Sequence, residues 1–416
     1  MEALPRETEL IATIAVGLSA AFVGGLIAHR FRLPTLIGYL LAGVALGPFT
    51  PGFVADTHLA PQLAEIGVIL LMFGVGNHFS ISDLLAGRRI AVPGAIGQVA
   101  FATALSFALT RFWGWDVGAG LVFGLALSVA STVVLLRALE ARGQLASDSG
   151  RVAVGWLLVE DLITVVVLVL LPAIAPLLKP ETAELAANPD LAALGVILLL
   201  TFAKVAAFIA LMLVGGVRVI PWILRRVEAT GSRELFILAI LAIALGIAYG
   251  AAEIFGVSFA LGAFVAGVVV NESEFSHRAA EEAMPMRDAF AVLFFVSVGM
   301  LIDPTFLVSD IGRILAVVAI IMVGKALAAL ALVRLLGGTR ETGVVVAAGL
   351  SQVGEFSFIL ATMGMALGLL PVEGNNLILA GALVSITLNP LLFAVVEPLR
   401  DRMTRRSGLA QQISDA

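Results

Sequence analysis

The sequence has no cysteine, few histidines and little charge. Without a single Cys in 416 residues, disulfide bonds, cysteine-ligated metals and thiol catalysis are excluded. The four histidines are widely spaced and form no metal-ligand pattern, so neither a metal centre nor another cofactor is predicted. Charged residues make up 13% of the chain, whereas soluble proteins carry about 25%. With 60% hydrophobic residues, this composition excludes a soluble enzyme and indicates an integral membrane protein.

Apolar runs of span length follow one another along the chain. A helix needs about 20 mostly apolar residues to cross the hydrocarbon core, and about thirteen runs approach this length. We therefore predict an all-α polytopic membrane protein with thirteen transmembrane helices in the lipid bilayer. The runs are residues 8–28, 33–47, 60–78, 91–110, 117–138, 151–171, 192–217, 234–251, 255–271, 287–302, 311–333, 342–365 and 377–397.

Lysine and arginine are unevenly distributed between the predicted loops. If the N-terminus lies outside, most of them fall in loops on the cytoplasmic side, as the positive-inside rule requires. Two lysines are exceptions, because Lys204 and Lys325 lie inside apolar runs. We expect an outer N-terminus, a cytoplasmic C-terminus and a bacterial inner or plasma membrane.

Three segments of the first half recur in the second half after a shift of about 223 residues. The shift spans seven predicted helices, an odd number, so the two halves must have opposite orientations in the membrane. Inverted repeats are typical of secondary transporters, whose sites lie near the midplane at discontinuous helices. We predict two inverted six-helix repeats joined by a linking helix. The matched segments are 36–48 with 260–272, 69–81 with 292–304, and 127–133 with 350–356.

Ionisable residues lie at mid-depth in several of these runs, among them Glu160, Asp161, Lys325 and Glu355. A charged group at this depth costs at least about 2.5–3.5 kcal/mol, so such groups face a cavity or each other. Glu160 and Asp161 are about 100° apart around a helix and cannot both point at one lysine. We expect one acid to pair with Lys325 and the other to face an aqueous pocket. The alternative is a buried ion pair that only joins helices.

The third pair of matched segments carries small and polar residues in mid-span. "LSVASTV" contains Ser131 and Thr132, and "LSQVGEF" contains Ser351, Gln352 and Glu355. Such residues permit close helix packing, or they mark helices that unwind beside an ion site. Their placement in both repeats favours the second interpretation. We predict two discontinuous helices that cross here, with Glu355 offsetting their positive ends.

A buried carboxyl group can hold either a proton or a small cation. Burial disfavours its charged form, and a nearby ammonium group favours it. Competition between the two ligands at Asp161, combined with alternating access, gives exchange of cation for proton. When no cation is bound, Glu160 and Lys325 neutralise each other.

The sequence resembles the Kef-type monovalent cation:proton antiporters over about residues 8–400. The motifs that carry the resemblance are "GYLLAGVALGP" at 38–48, "VED" at 159–161, Lys325, and "SQVGEFSF" at 351–358. The resemblance implies that Asp161 carries the ion and the proton, that Glu160 stands at the neighbouring acidic position, and that Lys325 pairs with it.

The family resemblance also implies a homodimer that works like an elevator. A dimerisation domain would comprise residues 1–90 and 234–304, and a moving core 91–172 and 305–400. The linking helix lies in 173–233, and residues 401–416 form a cytoplasmic tail.

Two features depart from the family pattern. Sodium-selective relatives often have Asp-Asp where this chain has Glu160-Asp161, and glutathione-gated potassium members have Gln-Asp, so K⁺ and Na⁺ both remain candidates. Many Kef-type chains continue into a cytosolic nucleotide-binding domain, whereas this sequence ends at Ala416. A regulatory domain or subunit would then lie outside this chain, in which we predict no nucleotide or nucleic-acid site.

Three other functions are weaker readings of the same residues. A symporter of small organic anions needs cationic or polar ligands, but only Lys204 and Lys325 bring positive charge into the membrane. A potassium channel needs a selectivity filter, and no such stretch is present. An intramembrane enzyme needs a catalytic Ser/His pair or a metal cluster in mid-span, and the sequence offers neither.

Overall fold

The computed structural model describes residues 9–31, 33–51, 59–77, 88–140, 142–145, 147–178 and 191–414, and all secondary structure in these ranges is helical. Two five-residue π turns, here π1 and π2, interrupt the α-helices. The elements are α1 Glu9–Arg30, α2 Thr35–Leu46, α3 Leu59–Asn77, α4 Arg88–Phe112, α5 Val117–Ser128, α6 Thr132–Glu140, α7 Asp148–Leu178, α8 Leu191–Leu211, π1 Met212–Gly216, α9 Val217–Glu228, α10 Arg233–Phe255, α11 Phe259–Asn271, α12 Ser276–Met300, α13 Phe306–Ser309, α14 Ile311–Ala319, π2 Ile320–Gly324, α15 Lys325–Leu335, α16 Arg340–Leu350, α17 Glu355–Ala366 and α18 Val372–Ser414.

The lengths of these helices fit a polytopic membrane protein. Within the described residues, nine helices are long and apolar enough to cross a membrane, and the pair α16 and α17, bent by 46°, would be a tenth. Three shorter apolar helices, α2, α5 and α11, accompany them. Each predicted apolar run overlaps one helix or a chain of helices broken by a short gap or a π turn. The all-helical membrane fold is therefore confirmed, and the count of thirteen spans stays a prediction.

The chain divides into two compact units. Unit 1 is Met1–Phe79 with Val165–Pro304, and unit 2 is Ser80–Thr164 with Thr305–Ala416. The long helix α7 contributes to both. The predicted linking segment 173–233 falls within unit 1. Assignment of dimerisation to one unit and transport to the other stays a prediction.

Unit 1 contains two helix crossings so close that only glycine fits. A β-carbon on Gly43 of α2 would overlap the backbone of α12 at Val296, and one on Gly267 of α11 would overlap the backbone of α3 at Phe73. Gly43 and Gly267 are matched in the predicted repeat, and so are Phe73 and Val296. The crossing of α2 with α12 is thus repeated as the crossing of α11 with α3.

A second pair of contacts in unit 1 is related by the repeat in the same way. Gly299 of α12 packs against the carbonyl of Leu40, and Gly76 of α3 packs against the carbonyl of Phe264. These positions are again matched by the sequence shift. Contacts that are exchanged between matched helices are the pattern that an internal two-fold relation produces. The opposite orientation of the halves in a membrane stays a prediction.

Unit 2 is built around a small-residue and aromatic core. Trp156 of α7 is fully buried in it, among alanines of α4 and aliphatic residues of α15 and α16. Hydroxyl groups fix the start of α16, because Thr339 accepts a hydrogen bond from Thr342 N (3.1 Å) and the Thr342 hydroxyl lies 3.1 Å from that of Ser149 on α7. These contacts hold the first turns of α7 and α16 together.

Candidate functional site

Two interrupted helices meet inside unit 2. The first interruption separates α5, which ends at Ser128, from α6, and the second separates α16 from α17, which begins at Glu355. Ser131 N donates to Gln352 Oε1 (3.0 Å), and Gln352 Nε2 donates back to Ser131 O (3.0 Å). Gly354 N donates to Val129 O (3.3 Å). The predicted crossing of two discontinuous helices is therefore present.

The backbones of the two interruptions touch. A β-carbon on Gly354 would lie 2.8 Å from Ala130 O and 2.8 Å from Ser131 N. The backbone of Gly354 is extended (φ −104°, ψ 178°), a conformation open to any residue. Glycine is therefore needed here for the close approach and not for an unusual dihedral angle.

The open ends of the half-helices carry opposite charges and are matched by side chains. Helix N-termini are partly positive and C-termini partly negative. Glu355 is the first residue of α17, and its Oε2 accepts a hydrogen bond from Ser131 Oγ (3.2 Å) just before α6 begins. Lys325 Nζ donates to Gln352 O (2.9 Å), beyond the C-terminus of α16. An acid thus stands at the positive ends, and a cation stands at a negative end.

Asp161 is buried, with one oxygen bound and one free. Its Oδ2 accepts a hydrogen bond from the Thr132 hydroxyl (2.9 Å) at the start of α6. Its Oδ1 is buried and has no hydrogen-bond partner among the described residues. A carboxylate oxygen left without a donor in a buried site needs a proton or a cation to compensate its charge. Oδ1 of Asp161 is therefore available to bind a proton or a cation.

Glu160, the neighbouring acid, has both oxygens engaged. Oε2 accepts from Ala130 N (3.1 Å) in the first interruption, and Oε1 accepts from the indole Nε1 of Trp156 (3.2 Å), one helical turn earlier on α7. The Glu160 side chain is fully buried. It joins α7 to the interruption between α5 and α6.

Lys325 is also fully buried. It interacts electrostatically with Glu160, but its direct contact is the Gln352 carbonyl. Every ion pair within 4.0 Å that joins described residues involves an arginine. Lys325 therefore influences Glu160 through charge at longer range and not through a direct salt bridge.

The structure brings together most of the residues singled out in the sequence. Thr132 binds Asp161, and Ser131 joins Gln352 and Glu355 through the contacts above. Ser351 is engaged elsewhere, because its hydroxyl donates to Ala347 O (2.6 Å), one turn back in α16.

Lys204 belongs to the other unit. It is on α8 in unit 1, where its side chain is exposed, and it forms no ion pair with the residues that the structure describes.

Sequence reasoning missed several polar contacts, among them those of Trp156 and Asn389. Trp156 lies four residues before Glu160, a spacing that places both on one helix face, so the contact could have been inferred. Asn389 of α18 donates to Ala348 O (2.9 Å) near the end of α16. The sequence signal for this contact was the polar amide of Asn389 within the apolar run 377–397.

Comparison with known proteins agrees with this geometry. A family model described as "Sodium/hydrogen exchanger, transmembrane" matches residues 17–396. YbaL of Escherichia coli (strain K12), which carries the provisional name of a cation/proton antiporter, is 59% identical over 390 residues, or 94% of this chain and 69% of YbaL. K(+) efflux antiporter 4 of Arabidopsis thaliana is 30% identical over 94% of this chain and 65% of its own length.

A solved structure shares the fold. The sodium proton antiporter MjNhaP1 from Methanocaldococcus jannaschii aligns with a TM-score of 0.61 and 15% identity, over 94% of this chain and 99% of that structure. None of these comparisons supports the symporter alternative. The sequence resemblance to cation:proton antiporters is confirmed, and the chain belongs to the sodium/hydrogen exchanger family of membrane transporters.

Proposed function

We propose that this chain exchanges a monovalent cation, K⁺ or Na⁺, for protons, and that both compete for the carboxylate of Asp161. The free, buried Oδ1 of Asp161 carries the proposal. A proton bound there restores neutrality, and so does a cation held by carboxylate, hydroxyl or carbonyl oxygens, the ligands that hard cations prefer. Thr132 binds the other oxygen and fixes the orientation of the carboxylate.

Glu160 has a supporting role in this proposal. Both of its oxygens already accept hydrogen bonds, so Asp161 is the acid that has an oxygen available for a ligand. Lys325 and Glu160 keep the region close to neutral when the cation has left, through their interaction at longer range. Glu355 and Ser131 place an anion at the positive ends of α6 and α17, which keeps those ends from attracting a free anion.

The names of similar proteins leave both cations open. One relative is named a K(+) efflux antiporter, and the structural neighbour is titled a sodium proton antiporter. We propose further that unit 2, which holds the site, is the elevator-type transport domain, and that unit 1 forms the homodimer. This assignment extends the family resemblance to the two units of the fold.

The experiment is proton flux in proteoliposomes, with K⁺ and Na⁺ tested separately. We expect at least one cation to drive proton movement in the wild type and neither to do so in Asp161→Asn. Competition further requires that the apparent KM for the cation rises as the pH falls, because protons occupy the same carboxylate.

Asp310→Asn is the matched control. Asp310 is a partly exposed carboxylate of the same unit, beside Arg313 (3.5 Å) and at the start of α14, so its loss should leave exchange intact. Full activity of Asp161→Asn would overturn the proposal. A cation KM that does not change with pH would overturn the competition step alone.

A further inference from the structure

We propose that Trp156 is a positioning residue for transport, whose indole N–H holds Glu160 against the interruption between α5 and α6. The inference rests on the proposed function for its transport readout. Its structural basis is independent: Trp156 Nε1 donates to Glu160 Oε1 (3.2 Å), and Ala130 N donates to Glu160 Oε2 (3.1 Å). Glu160 is thus clamped between a side-chain donor and a main-chain donor.

The indole of Trp156 packs directly against Gly94 of α4. A β-carbon on Gly94 of α4 would overlap the six-membered ring of Trp156. The ring lies in the core of unit 2, in which Ala91 and Ala95 of α4 are also buried. Absence of a side chain at Gly94 therefore provides the space that lets the indole reach Glu160. A rigid ring cannot move aside as a flexible chain would.

A short chain of contacts connects the clamped Glu160 side chain to Asp161. Glu160 holds Ala130, which lies two residues before Thr132, and Thr132 binds Asp161 Oδ2 (2.9 Å). Trp156 therefore acts on the ion site through Glu160 and the interruption, and touches neither proton nor cation. Its removal should weaken cation binding more than it slows turnover.

Other charges face the same region and constrain the interpretation. Glu160 interacts electrostatically with Lys325 and Asp161, and Asp161 interacts with Glu355. An oxygen of Glu160 released from Trp156 could turn toward Lys325. The experiment must therefore separate the effect of the Trp156–Glu160 hydrogen bond from that of the Glu160 charge. Two substitutions, Trp156→Phe and Glu160→Gln, achieve this together.

The first test is transport by Trp156→Phe, which keeps an aromatic ring and removes the N–H. A hydrogen bond to a charged group accounts for about a tenfold effect or more. We expect the cation KM to rise by about that factor, with kcat changed by less than about twofold. Trp115→Phe, in the same unit but packed on Phe123 (ring centroids 5.3 Å apart), should alter neither. Unchanged KM in Trp156→Phe would overturn the proposal.

The second test is a double-mutant cycle on thermal stability, which does not depend on transport. Glutamine at position 160 has one acceptor and one NH₂ group, so it cannot satisfy two N–H donors. Glu160→Gln should therefore be less harmful in the Trp156→Phe background than in the wild type. Additive changes in Tm would show that the contact is absent.

Glycine substitutions provide a variant that keeps the indole. Gly94→Ala should displace the ring and raise the cation KM as Trp156→Phe does. Gly155→Ala is the matched control, because its β-carbon would meet Ala91 at an ordinary 3.4 Å. Equal KM values in the two alanine variants would overturn the seating role.

A spectroscopic readout covers the case in which Trp156→Phe does not fold. Ultraviolet resonance Raman spectra report indole N–H hydrogen bonding, and Glu160→Leu, which leaves no acceptor at this position, should shift the signal of one of the four tryptophans. An unchanged spectrum counts against the clamp. If Asp161→Asn transports normally while the stability cycle is non-additive, the proposed function fails and the clamp stands.

Discussion

Replacement of Gln352 by leucine removes three hydrogen bonds, two of which join the two interrupted helices. Its amide accepts from Ser131 N and donates to Ser131 O, both at 3.0 Å, and it donates to Gly349 O at 3.1 Å. Ser131 O keeps a second donor, Leu135 N (3.2 Å), whereas Ser131 N is left without its acceptor. The residue is fully buried, so water does not readily replace the amide.

The magnitude follows from these contacts. An orphaned buried N–H costs about 1–3 kcal/mol, and each of the other two hydrogen bonds contributes about 0.5–1.5 kcal/mol. Gln352→Leu should therefore lower the free energy of unfolding by about 2–6 kcal/mol. Gln98→Leu is the matched control, because Gln98 is equally buried but donates one hydrogen bond, to Ser128 O (3.1 Å). Its loss should cost only about 0.5–1.5 kcal/mol.

The assay is thermal unfolding of the detergent-solubilised protein, with both variants measured beside the wild type. We expect Gln352→Leu to lower Tm several times more than Gln98→Leu does. Equal decreases in the two variants would refute the reasoning, because they would show that the reciprocal amide contact with Ser131 adds nothing to the stability of unit 2.

Two further substitutions test the surroundings of Asp161. Thr132→Val removes the hydrogen bond to Asp161 Oδ2 with little change in volume, and we expect about a tenfold rise in cation KM in proteoliposomes. Thr132→Ser keeps the hydroxyl and should retain most of the cation affinity. Equal KM values for the two variants would contradict a role of the Thr132 hydroxyl in cation binding. Gly354→Ala forces apart two backbones in contact and should cost about 1–3 kcal/mol, seen as a lower Tm, whereas Gly312→Ala, which meets nothing within 4 Å, should not lower Tm.

The sequence predicted the helices and both interruptions because their signals are local. A long apolar run is sufficient to place a membrane helix, and small polar residues in mid-run at 127–133 and 350–356 mark where such a helix is broken. The repeat added long-range information, since matched segments must occupy equivalent places. The contact between Ser131 and Gln352 lies inside these two segments.

Direct partners of the buried charges could not be read from the sequence. Opposite charges at similar depth suggested that Lys325 pairs with Glu160; the two do interact electrostatically, but the hydrogen bond of the ammonium group goes to Gln352 O. Sequence spacing gives the depth of a side chain and not its direction relative to another helix. Backbone groups at a helix interruption are also strong acceptors and donors, and they carry no residue identity that a motif could reveal.

The π turn Ile320–Gly324 directly precedes Lys325 and changes the helical phase of everything after it. A π turn holds one more residue than an α turn, and one residue corresponds to about 100° around the helix. Side chains of α15 are therefore rotated by about that angle from where an unbroken continuation of α14 would place them. The position of Lys325 on the face that meets Gln352 depends on this insertion-like shift in a run of apolar residues.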